Sequence, residues 1–189
     1  EVTVIEMLDE ILGGMDKELS AMLRVEYAKR GIKFMLNTKV VSLDGSAGEN
    51  GETQVRVNYE NAEGTGFSVA EKLLMSVGRR PVTKGFGLEN LNPEKTERGN
   101  IRVDGQMRTS VTGVYVCGDL TGFSLLAHTA VREAEVAVHA VLGKKDCMSY
   151  RAIPGVVYTN PEIAGVGDTE EALQKKGIPY RTVKLPMAY

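Results

Sequence analysis

Two carboxylates and one helix start are placed where they could do chemistry. Glu6 closes a short β-branched run, Val2-Thr3-Val4-Ile5, and a helical pattern and a second strand follow it. At the end of the first strand of a strand–helix–strand unit, a carboxylate can accept the hydroxyls of an adenosine ribose. Its charge also repels the extra phosphate of NADP. Met7 and Leu8 come next, where an NADP site would place an arginine. The plain alternative is a solvated strand-end Glu, because no Gly-rich turn precedes Glu6 in this sequence. Gly118-Asp119 follows an apolar run and precedes a helix. An Asp there either faces the ligand crevice of an open α/β sheet, where it would accept a sugar or ribitol hydroxyl, or is an ordinary turn residue. Leu125-Leu126-Ala127-His128 opens that helix. Free amides at a helix start suit an oxygen that gains negative charge, such as the pyrimidine end of a reduced flavin. An ordinary helix start with a packed His128 is the other reading.

The remaining reactive side chains carry less. Cys117 and Cys147 form no CxxC pair and no metal-spaced cluster, so a disulfide framework is not expected and a reducing compartment is the default. Cys117, in Val114-Tyr115-Val116-Cys117, reads as a small buried hydrophobe, and neither cysteine as catalytic. His139, near the far end of the helix that His128 opens, reads as solvated.

These residues need elements to hold them. Residues 2–5 read as a buried strand, and Asp16 as the cap of a helix over 17–30 that Gly31 stops. Leu19, Met22, Leu23 and Tyr27 recur at helical spacing and should face a core. Ile32 to Leu36 is the next strand, completing the rhythm of a doubly wound parallel sheet. Val40–Leu43, Val55–Tyr59 and Phe67–Val69, separated by the hairpin signals Asn50-Gly51 and Glu63-Gly64, read as an antiparallel meander. Its wet face should carry Arg56 and Asn58. Lys72 to Val77 reads as a return to a buried strand ending at Gly78, with a loop over 82–99 after it. Ile101–Val103 and Val114–Cys117 read as strands, and Leu126–Leu142 as an amphipathic helix stopped by Gly143. Further on come a strand at Gly155–Thr159, a helix begun by the capping-box pattern of Asp168-Thr169-Glu170-Glu171 and ended by Gly177, and a strand at Tyr180–Leu185. The fold class is α/β.

The bulk properties agree with a globular protein: of 189 residues, 42% are hydrophobic and 25% charged, with a net charge of −2. No basic face suggests nucleic acid, and no apolar run reaches membrane-span length. The first residues lack an initiator Met and the pattern of a signal peptide, and read as a chain entered within a strand.

Six strings in order resemble the pyridine nucleotide–disulfide oxidoreductase family. They are Val2-Thr3-Val4-Ile5-Glu6, Leu36-Asn37-Thr38-Lys39-Val40, Ser76-Val77-Gly78-Arg79-Arg80-Pro81, Thr109 through Gly113-Val114-Tyr115-Val116-Cys117-Gly118-Asp119, Leu126-Ala127-His128, and Tyr158-Thr159-Asn160-Pro161-Glu162 with Val166-Gly167. Leu-Ala-His after Gly-Asp is similar to the dihydrolipoamide dehydrogenase branch. The resemblance implies fragments of Rossmann-like domains: a partial NAD-binding domain over 1–78, the C-terminal part of an FAD-binding domain over 79–149, and the start of an α+β dimerisation domain over 150–189. It implies that Glu6, Val40 and Gly78 line the NAD site, and that Asp119, Leu125, Leu126, Ala127 and His128 line the FAD site. The implied parent oxidises dihydrolipoamide with NAD through FAD, as a homodimer serving a 2-oxo acid dehydrogenase or glycine cleavage complex, in a bacterial cytoplasm or a mitochondrial matrix. The family's redox cysteine pair and its His–Glu acid–base pair match nothing in this sequence. No residue is therefore carried over as catalytic, and the chain alone is expected to be inactive and to bind neither cofactor stoichiometrically. The rival readings are an NADH oxidase or mercuric reductase relative, or a non-catalytic piece that associates through residues 150–189 or through exposed strand faces.

Overall fold

The computed structural model describes residues 1–47 and 53–186. They form two compact units, one of Glu1–Met75 with Pro154–Tyr189, the other of Ser76–Ile153.

The first unit opens on the expected strand–helix–strand. β1 (Val2–Ile5) pairs in parallel with β2 (Ile32–Met35), in the register Val2 to Ile32 and Ile5 to Met35. Between them runs α1 (Lys17–Lys29), whose N-cap Asp16 accepts a hydrogen bond from the Glu18 amide at 2.9 Å. The chain leaves the helix through Gly31 at φ +90°, a conformation that costs a glycine nothing. The helix buries less than its periodicity implied. Leu23 and Ser20 are buried and Tyr27 half-buried, but Leu19 and Met22 are exposed. A two-stranded sheet is too narrow to cover the whole apolar stripe.

The meander is present as β3 (Lys39–Ala47), β4 (Thr53–Asn61) and β5 (Gly64–Ala70), all antiparallel, with a register shift between Val40 and Ser42. Val57 lies on its buried face. On the wet face Asn58 donates to Ser42 Oγ and Asp44 Oδ2, and the Arg56 guanidinium lies 3.6 Å from the Phe67 ring centroid. The Glu63-Gly64 signal marks a real hairpin, where Asn61 Oδ1 accepts the Glu63 amide. Asn50-Gly51 lies outside the described residues.

The unit resumes with β6 (Pro154–Val157), antiparallel to β7 (Ile163–Val166), a strand the sequence pattern did not mark. Then comes α4 (Glu170–Lys176), capped by Thr169 Oγ1 on the Ala172 amide and ended by Gly177 at φ +66°. Only half of a capping box forms, because Ala172 occupies the position from which Glu or Gln would reach back. Tyr180–Leu185 is not a strand. Its polar side chains bind carboxylates instead, Tyr180 and Thr182 on Glu170 and Lys184 on Glu18, while Val183 and Leu185 face solvent.

The second unit corrects three further expectations. Lys72–Val77, which straddles the two units, pairs with no strand among the described residues, and Leu74 and Val77 are 88% and 84% exposed. An apolar run becomes a strand only when a ladder partner lies beside it. Ile101–Val103 and Val114–Cys117 make isolated bridges, not strands: Lys95 with Ile101 and Arg108 with Tyr115. Their amides make single bonds to distant carbonyls, Ile101 N to the Leu120 carbonyl and Val116 N to the Met107 carbonyl. Inside the expected loop sits a short helix, α2 (Leu88–Leu91). Leu88, Ile101 and Val116 form the core, with Val103 and Leu120 against it. α3 (Ala127–Val141) runs as expected, and Gly143 follows it at φ +70°. Its buried stripe is Thr129, Glu133, Val136 and Ala140.

Candidate functional site

In the first unit, Glu6 stands at the C-terminal end of β1, half-buried. Its backbone is fixed on both sides, its amide donating to the Met35 carbonyl and its carbonyl accepting from Thr38 N, each at 2.9 Å. Its Oε1 accepts the Leu8 amide at 2.9 Å, so the carboxylate curls over its own loop. Glu10 follows in the same loop. It is 9% exposed and takes a two-pronged ion pair from Arg24 of α1, with contacts of 2.8 to 3.1 Å. The Arg24 guanidinium holds the Glu10 carboxyl below its usual range, against the opposing effect of burial. Val40, at the start of β3, is exposed beside the register shift.

Gly78 belongs to the second unit, exposed at φ +106°, with nothing within 4 Å of where a side chain would begin.

The five residues expected at a flavin all lie in the second unit and close together in sequence. Gly118–Leu120 is a single 3-10 turn, and Asp119 at its middle is exposed. The Asp119 carboxylate has no hydrogen-bond or ion-pair partner among the described residues, while its backbone carbonyl accepts from Asn100 Nδ2 at 3.4 Å. Gly118 sits at φ +74°, and a Cβ there would meet Ala130 Cβ at 3.4 Å, so the turn lies directly on α3. Leu126 is the N-cap of α3, in extended conformation and without a side-chain cap, which leaves the first helical amides to other acceptors. Leu125, Ala127 and His128 are exposed around it. Ser124 and Thr129 hydroxyls bond at 2.9 Å across this start.

Beneath the turn is the residue that sequence reasoning missed. Glu133, on the second full turn of α3, is 0% exposed. Its Oε2 accepts the Gly118 amide at 2.5 Å, and its Oε1 accepts the Tyr150 hydroxyl at 2.6 Å and the Thr121 hydroxyl at 3.2 Å. Phe123 stacks on Tyr150 with ring centroids 4.7 Å apart. Burial and the Glu133 charge push the Tyr150 hydroxyl above its usual range. The signal was available: Glu133 is the one charged residue on the apolar stripe of α3.

Cys117 is exposed over the residue as a whole, not the buried hydrophobe expected, although its thiol is partly covered. Its thiol is nevertheless pushed up, by burial first and by Glu133 second, the opposite of what a nucleophile needs. His139 is not simply solvated. Its Nδ1 lies 2.7 Å from Asp146 Oδ2, and Arg132 grips the same carboxylate at 2.6 and 2.9 Å. A shallow pocket of about 560 Å³ borders this group, lined by Gly105, Gln106, Lys145, Asp146 and Cys147. Another of about 280 Å³ lies on the meander, and no candidate cofactor residue lines either. Among the described residues no group of three metal-ligating side chains converges, and no helix is long and apolar enough to cross a membrane.

Residues 1–134 match the family model described as pyridine nucleotide-disulphide oxidoreductase, and residues 153–189 match that of its dimerisation domain. Dihydrolipoyl dehydrogenase from Thermus scotoductus is 41% identical over 190 residues, covering 100% of this chain and 40% of that protein. Mitochondrial dihydrolipoyl dehydrogenase 1 from Arabidopsis thaliana is 40% identical over 188 residues, covering 98% of this chain and 36% of its own length. Among solved structures, LpdA from Mycobacterium tuberculosis superposes with a TM-score of 0.82 at 30% identity, over 98% of this chain and 39% of that one. The chain thus spans 36 to 40% of the length of these relatives.

Proposed function

Because the chain belongs to the pyridine nucleotide-disulphide oxidoreductase family, we propose that it carries part of the FAD and NAD sites of a dihydrolipoyl dehydrogenase. The reaction of the whole protein is dihydrolipoamide + NAD⁺ → lipoamide + NADH + H⁺. A bound flavin would supply the electron relay between the thiols and NAD. The observation that carries the reading is the unpartnered Asp119 carboxylate, on a turn fixed beside the uncapped start of α3. Asp119 would accept ribitol hydroxyls. Leu125, Leu126, Ala127 and His128 would border the ring system, and the first amides of α3 would face an oxygen gaining negative charge. Glu6 would accept the adenosine ribose of NAD, with Val40 on the adenine side and Gly78 on the nicotinamide side. The division follows: residues 1–78 to NAD, 79–149 to FAD, 150–189 to a dimer contact. Lipoamide carried by a 2-oxo acid dehydrogenase or glycine cleavage complex is the partner, in a bacterial cytoplasm or a mitochondrial matrix. Cys117 and Cys147 form no exchanging pair, so we assign the chain alone no turnover.

The test is steady-state turnover of the whole protein. NAD reduction by dihydrolipoamide, with NADP much the poorer acceptor, is the expected result. Equal rates with NAD and NADP would remove the Glu6 assignment. Turnover of oxygen or mercuric ion in place of dihydrolipoamide would move the protein to another branch of the family.

A further inference from the structure

We propose that Glu133 is the positioning residue of the flavin turn: its buried carboxylate sets the Gly118–Leu120 backbone and so aims Asp119. The inference rests on the reading of Asp119 as a flavin ligand.

Three donors converge on Glu133, and two belong to the turn. The Gly118 amide enters at its start and the Thr121 hydroxyl at its end. Thr121 is itself tied back by its amide, which donates to the Gly118 carbonyl at 3.0 Å, while its one hydroxyl proton is shared between that carbonyl and Glu133. The loop is therefore closed twice, once on itself and once on α3. The third donor, Tyr150, holds the other lone pairs of Oε1 and is kept in place by Phe123. A buried carboxylate without a cation is costly unless hydrogen bonds compensate it. No Lys or Arg pairs with Glu133 among the described residues, and all its hydrogen bonds go to the turn and to Tyr150. Gly118 leaves little room for a side chain, since an added Cβ would meet Ala130 Cβ of α3 at 3.4 Å and the residue holds a φ of +74°. A turn held at both ends fixes the backbone of its middle residue, Asp119, and with it the direction in which that side chain leaves the turn.

The experiment is a double-mutant cycle in the whole flavoprotein, read as the FAD dissociation constant on reconstituting the apoprotein. Asp119→Ala and Glu133→Ala should each weaken FAD by about tenfold to a hundredfold, the scale of a hydrogen bond to a charged group. The double variant should be scarcely weaker than Asp119→Ala alone, because both remove one interaction. Glu133→Gln should bind FAD within about threefold of wild type, since its carbonyl can still accept the Gly118 amide while the hydroxyls turn to accept from its NH₂. Val136→Ala, on the same buried stripe, separates positioning from bulk stability: it should lower Tm and leave FAD affinity unchanged. If Glu133→Ala fails to fold, Glu133→Asp keeps the charge, withdraws it from Gly118, and serves in the same cycle. The inference is overturned if the two losses multiply in full, if Glu133→Ala behaves like Val136→Ala, or if Glu133→Gln is as weak as Glu133→Ala. An Asp119→Ala variant that binds FAD normally would instead sink the flavin reading itself, and this inference with it.

Discussion

The two carboxylate-bearing turns of this chain are built differently. Glu6 is steadied by its neighbours in sequence: its side chain accepts the Leu8 amide, and the loop beyond rests on the Glu10–Arg24 ion pair at the rim of α1. Asp119 is steadied from inside the fold, by a fully buried Glu133 that gathers the Gly118 amide with the Thr121 and Tyr150 hydroxyls. A site that must release its ligand each cycle can rest on local contacts. One that keeps its ligand gains from a preorganised, water-free brace. On the proposed reading, the Glu6 turn would serve NAD as an exchanging ligand and the Asp119 turn FAD as a resident one.

The strongest way to break the comparison is to remove the brace. Glu133→Ala should destabilise the 189-residue chain by about 4 kcal/mol, because three donors lose a buried acceptor and a cavity remains. Urea denaturation measures it, and a loss below about 1 kcal/mol would mean that the cluster is not a buried network. Next comes Glu6→Ala in the whole protein, expected to weaken NAD by about 1–3 kcal/mol with FAD content unchanged, by calorimetric titration. Loss of flavin in that variant would erase the division between the two sites.

How much of this could be read from sequence depends on how local the cause is. α1, α3 and the meander were legible because Asp16, Gly31, Gly143 and the alternation of Val55, Val57 and Tyr59 act within a few residues. Lys72–Val77, Ile101–Val103, Val114–Cys117 and Tyr180–Leu185 differ from the strands expected there because an apolar or β-branched run carries no record of whether a partner strand is beside it. β7 was missed because Gly165 interrupts a four-residue run. At the candidate site the residues proposed to face a ligand stand in recognisable strings, while their supports do not. Glu133 is marked only by being a charge on the stripe of α3 that is otherwise uncharged, and Asp146, the partner of His139, comes after the helix has ended.

Smaller effects sharpen the contrast. Arg24→Ala should cost about 1 kcal/mol, since its ion pair is partly exposed, against the larger loss at Glu133. Arg132 first, and His139 second, hold the Asp146 carboxyl well below its ordinary value of 3.8. A group lowered in the folded state adds stability that is complete above its unfolded pKa and is lost as pH falls through its folded one. Stability of the chain should therefore decline as pH drops below about 3.8, and Asp146→Asn should flatten that part of the curve. Unchanged acid sensitivity in the variant, by thermal melts across pH, would remove this group from the account.

The most direct measurement is cofactor retention by the whole protein after gel filtration, read from its visible spectrum and a nucleotide assay. Wild type should keep close to one flavin per chain and shed its NAD, and Asp119→Ala should lose most of its flavin. A protein that sheds both cofactors alike, or an Asp119→Ala variant that stays fully yellow, would contradict the assignment of the braced turn to FAD.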